Sequence, residues 1–138
     1  MLEEFPHIHT GRELELMLSQ KKPLARFSEA EACLPNEEFI PEKAFSEYVE
    51  SGVFVREQFE IDSKVPDRKG NFHTIKYVLF ALPAETWRIE AMRILITEHQ
   101  KTGQWNETCE RIEGKLLGYT EEENDIWCNR RRSKISET

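Results

Sequence analysis

Two β-patterned runs, 53–61 and 72–82, flank a turn-rich stretch, and a proline-led helical pattern follows them directly. In the first run Val53, Val55, Phe59 and Ile61 alternate with Phe54, Arg56, Gln58 and Glu60, which predicts one apolar and one polar face. The second reads FHTIKYVLFAL, and its C-terminal half is apolar on both faces, as expected of a strand covered on both sides. Between them, DSKVPDRKGN places Pro, Asp and Gly at turn-forming positions. The pair therefore reads as an antiparallel hairpin with a long loop. Lys64, Arg68 and Lys69 make that loop a basic finger.

Pro83 opens the longest helical pattern, 84–101, and Gly103 closes it. Trp87, Ala91, Ile94 and Leu95 form one stripe, and Ile89, Met92 and Ile96 widen it past half the circumference. A helix this apolar is expected to be central and packed on more than one side. Trp105, Cys109, Ile112 and Leu116 predict another helix ending at Gly118, and Thr120 with Glu123 has capping-box spacing ahead of a last helix to Arg132. Upstream, a second such box at Thr10 and Glu13 opens a helix with Leu14, Met17 and Leu18 inward. A short strand is expected at 24–27, then an irregular acidic stretch, 28–40, turning at Pro35 and Asn36. Pro41 then begins a helix to Ser51 with Ala44, Phe45, Tyr48 and Val49 on its core face. The expected fold is α+β: a small antiparallel sheet built on the 53–61/72–82 hairpin, with helices mainly on one face. The long central helix 84–101 and two C-terminal helices pack there.

With 138 residues, no repeat and no linker, the chain reads as one compact domain over 1–132 and a frayed tail at 133–138. An apolar share of 38% excludes a disordered chain, and the longest apolar run, 77–83, is too short to span a membrane. The net charge is −7, although the tail is basic through Arg130, Arg131, Arg132 and Lys134. An acidic body repels phosphate backbones and disfavours nucleic acid. Glu121, Glu122, Glu123 and Asp125 would likewise face phosphates if the last two helices docked on DNA. Three cysteines, Cys33, Cys109 and Cys128, without CxxC spacing do not form a disulfide framework, and the acidic N-terminus lacks a secretory pattern. A cytoplasmic address is expected.

Several residues qualify as candidates for chemistry. His7 and His9 are two apart, so an extended arm would point both imidazoles at one metal ion, with the third ligand coming from His73, His99, a carboxylate or a cysteine. Arg88 and His99 project from the apolar arc of the long helix and need partners there. Glu57, which interrupts the apolar face of its strand, is the expected mate of Arg88. Cys109 with His99 is a conceivable nucleophile–base pair, yet a thiol on an apolar stripe is usually inert. No P-loop, GxGxxG or GxSxG is present, and no cofactor is implied.

An exposed Phe54 beside Arg56 would suit a protein interface, as would the finger of Lys64, Arg68 and Lys69. A small sheet also has free edges, which a homodimer would cover. The residues thus favour a small, acidic, soluble binding or regulatory protein that docks a protein partner or itself. The competing readings are a metal-assisted, hydrolase-like enzyme using the His-x-His pair, and nucleic-acid binding through the finger and the arginine tail.

Overall fold

The computed structural model describes residues 9, 11–28, 40–62, 66 and 68–136, with 130–136 described by their backbone only. His7, Thr10, Cys33, the turn at Pro35 and Asn36, and Lys64 lie outside the described residues, as do the side chains of the arginine tail. The elements run α1 (Glu13–Leu18), β1 (Leu24–Ser28), α2 (Glu42–Glu50), β2 (Val55–Asp62), β3 (Thr74–Ala81), α3 (Trp87–Thr102), α4 (Glu107–Leu116) and α5 (Glu121–Ser136). A 3-10 turn, Pro83–Glu85, precedes α3. No helix among the described residues is long and apolar enough to cross a membrane.

The sheet is antiparallel with order β1-β3-β2, so the strand apolar on both faces is the middle one. Its side chains alternate into two cores. Tyr77, Leu79 and Ala81 join Leu24 and, from the helices, Ile89, Met92, Ile96 and Leu116. Val78 and Phe80 join Ala25, Met17, Phe45 and Phe54 on the other face. Phe45 anchors α2 there, its ring 4.2 Å from that of Phe80. Fully burying one such ring is worth about 3 kcal/mol.

Helices therefore cover both faces, α3 and α4 on one and α1 and α2 on the other, where helices mainly on one face were expected. The reason is legible in β3: a strand apolar on both sides needs cover on both. Phe54 is the second correction. It precedes β2, points to the α2 side and is 2% exposed, so it is a core residue and not an interface anchor. Val53, expected inward, is exposed.

The long helix also differs from its predicted stripe. Ile89, Met92 and Ile96 face the sheet, while Trp87 and Ile94 remain 58% and 57% exposed. Half a circumference of apolar residues exceeds what one sheet and one neighbouring helix can cover. In α1 the inward pair is Leu16 and Met17, and Leu18 is exposed; the helix is preceded by Arg12, which makes no side-chain cap. In α4 Leu116 is buried as predicted, but Ile112 is exposed, and Glu110 and Gly114 are buried instead. The cause is α5, which seats Asn124 directly against Gly114, where any Cβ would overlap it.

The capping box before α5 forms in both directions: Thr120 N–H donates to Glu123 Oε1 at 2.7 Å, and Glu123 N–H to Thr120 Oγ1 at 3.1 Å. That helix continues to Ser136, beyond Arg132, because nothing between 133 and 136 breaks it.

Candidate functional site

Two ionisable groups whose pKa values burial lowers, His9 and Lys22, meet where the start of the described chain, the α1–β1 connection and the end of α4 converge. Lys22 lies between α1 and β1 and is 2% exposed. Its Nζ donates to the Leu117 carbonyl at 2.8 Å and to His9 Nδ1 at 3.0 Å, and sits 5.6 Å from the centre of the Tyr119 ring. The imidazole of His9 stacks on Tyr119 with centroids 3.8 Å apart and planes 9° from parallel. The backbone N–H of His9 donates to the Tyr119 hydroxyl at 3.1 Å.

An ammonium can only donate, so Nδ1 of His9 accepts and the neutral ring carries its proton on Nε2. Burial and the cations Lys22 and Arg12 lower the His9 pKa to about 4. Burial also lowers that of Lys22 to about 8, against the opposing pull of Glu13, Glu123 and Glu113. The Tyr119 hydroxyl is pushed up, again mainly by burial. Sequence offered no signal for Lys22 over Lys21, nor for Tyr119 as its companion. A neutral imidazole beside a lysine is a suggestive pair for proton transfer, but a substrate would have to reach an ammonium closed in by Leu117, His9 and Tyr119. What the arrangement does chemically is satisfy a helix end: Lys22 binds a terminal carbonyl of α4 and clamps the chain before α1 to it.

This geometry implies a pH dependence. Above about pH 6.5 His9 is neutral in both the folded and the unfolded chain. Between 6.5 and 4 the unfolded chain binds a proton that the folded chain refuses, so stability falls on acidification through that window. The slope approaches one proton, about 1.4 kcal/mol per pH unit. His9→Gln keeps an acceptor for Lys22 without titrating, so its urea-derived stability is expected to be flatter between pH 6.5 and 4.5. Equal slopes in the two proteins would refute the assignment.

Arg88 does not pair with Glu57. Its Nε binds Glu85 at 2.8 Å, and Nη1 donates to the carbonyls of Lys115 and Leu116 at 2.9 and 3.2 Å. Glu57 is exposed on β2, since Arg88 leaves α3 toward α4. Thus Arg88 and Lys22 both bind carbonyls at the C-terminal end of α4, where cations are favoured. The Nδ1 of His99 lies 3.1 Å from the Gln104 carbonyl and its ring meets Trp105 edge-on, which fixes the α3–α4 connection. Cys109 contributes its backbone N–H to the Asn106 cap, 3.0 Å away. A further feature had no sequence signal: the buried carboxylate of Glu110 accepts both indole N–H groups, from Trp105 and Trp127.

Of the residues in the metal reading, His7 lies outside the described residues, and His9 has its Nδ1 engaged by the ammonium of Lys22. His73 is exposed beside the hairpin loop. Among the described residues, no three His, Cys, Asp or Glu side chains gather as a metal ion requires. Arg68 and Lys69 are exposed in the loop. Arg56 is half-buried, gripping Glu42 of α2 with Nε at 2.9 Å and Nη2 at 2.6 Å, and reaching Gln58 with Nη2 at 2.8 Å.

The class so defined is a three-stranded antiparallel sheet between two helical layers, with Lys22 and Arg88 on the carbonyls that end α4. Compared with protein-family models, curated proteins and solved structures, the chain matches none.

Proposed function

We propose that the chain is a non-catalytic binding protein of the cytoplasm that works through protein–protein contacts, self-association first among them. The observation that carries the reading is the open sheet. Among the described residues β3 is paired on both sides, while β2 presents an eight-residue edge with no strand beyond it. Such an edge is a row of backbone donors and acceptors suited to a further strand. The fates of the candidate reactive groups support the same reading, since Lys22, His9, Arg88 and His99 are each engaged in holding helix ends or connections. Arg68 and Lys69 at the tip of the hairpin are a second, polar contact region.

Sedimentation equilibrium across the micromolar range tests this. The expected result is a mass rising with concentration toward twice 16.3 kDa. A mass of one chain at every concentration overturns it.

A further inference from the structure

Resting on that reading, we infer that the partner at the β2 edge is a second copy of this chain, paired antiparallel about a two-fold axis through Gln58. Two identical antiparallel strands can be related only by an axis passing between directly opposed residues, so some residue of β2 must face its own twin. Centring on Gln58 sets Arg56 opposite Glu60 twice and Val55 opposite Ile61 twice. Opposite charges then meet on the α2 side of the sheet and apolar side chains on the α3 side.

The neighbouring choice, centred on Phe59, would also oppose Arg56 to Asp62. It carries Val55 past the end of the strand, however, and leaves Glu57 opposite Ile61, whereas the Gln58-centred register brings Glu57 to the Phe59 ring on which Arg93 lies. Charged side chains on an edge commonly discourage pairing. Here their spacing favours one register, because opposed cross-strand charges attract and like ones repel.

Two details of the single chain fit this arrangement. Arg56 grips Glu42 with Nε and Nη2, and its Nη1 makes no bond among the described residues, so it can meet a carboxylate from across the axis. On the other face the guanidinium of Arg93 lies 5.7 Å over the Phe59 ring. The second copy's Glu57 falls opposite Phe59 in this register, and therefore beside Arg93. Glu57, an acid interrupting the apolar face of its own strand, acquires a cation in the dimer. The product is a six-stranded sheet with β2 and its twin at the centre.

The full-length chain carrying Gln58→Cys is the direct test. Opposed cysteines on adjacent antiparallel strands lie about 5 Å apart at Cα, within disulfide range. Mild oxidation is expected to yield a covalent dimer well beyond that of the unsubstituted chain, which carries Cys33, Cys109 and Cys128 as background. Glu60→Cys should not link, because its twin lies about 13 Å along the strand. Glu60→Lys, at an exposed position, brings like charges together and should weaken association at least tenfold in sedimentation. If the unsubstituted chain dimerises but Gln58→Cys links no better than Glu60→Cys, or Glu60→Lys associates normally, the β2 register is wrong and self-association stands. If the unsubstituted chain stays a monomer, both fall.

Discussion

Replacing Gly118 with alanine should destabilise the protein by roughly 3 to 5 kcal/mol, combining backbone strain with overpacking. Gly118 follows α4 with φ of +95°, a region that L side chains rarely adopt, and its Cβ would fall on the ring of Pro23. That ring cannot swing aside as a flexible chain end would. Pro23 also leads into β1, its carbonyl accepting from Leu82 N–H at 3.1 Å. The α4–α5 turn must therefore move, and with it the Leu117 carbonyl that Lys22 holds. Gly52→Ala isolates the strain: φ is +82° there and nothing lies within 4 Å of an added Cβ. That variant should lose about 1 kcal/mol. Equilibrium urea unfolding of both decides the matter, and equal losses would refute the close packing of the α4–α5 turn on Pro23.

Lys22→Ala has the next largest expected effect, about 3 kcal/mol lost. Truncation opens a cavity and strips the Leu117 carbonyl and His9 Nδ1 of their donor. Lys22→Met fills the volume without the charge, and exchanging a buried ion for an apolar side chain of similar size is often close to neutral. Its loss should be about 1 kcal/mol or less. The pH dependence separates the ammonium from packing. With its pKa lowered to about 8, the folded chain releases a proton that the unfolded chain retains until about 10.5, so stability rises with pH from about 8 upward. Tyr119, pushed up by burial, opposes that rise only near pH 10 and above. Between pH 8 and 9.5 the unsubstituted protein should gain stability and Lys22→Met should not. A Lys22→Ala loss below about 1 kcal/mol would mean that the clamp contributes little.

Much of the fold was legible because it is written in local periods. The two-residue alternation around Phe59 places Val55, Phe59 and Ile61 on one face, and the apolar run ending at Ala81 marks the middle strand. Thr120 and Glu123 three residues apart form the expected cap. The errors share one cause. Apolar residues at helical spacing show which faces could be buried, whereas burial depends on what arrives from elsewhere in the chain. So Ile112 and Ile94 are exposed, and Gly114 and Glu110, which no apolar pattern selects, lie inside. Phe54 does alternate onto the face of Arg56 and Gln58, but α2 covers that face at its end, with the Phe45 ring 5.6 Å away, and so buries it.

The candidate site shows the division most clearly. Sequence alone determined the strands, most of the helices and the acidic balance, since these follow from backbone geometry and composition over a few neighbouring residues. Only the tertiary structure singled out Lys22, by bringing it to His9 across 13 positions and to Leu117 across 95. Lys21 and Lys22 are the same residue to any local rule. One is exposed, and the other is closed under Tyr119, where desolvation lowers both its pKa and that of the imidazole it touches.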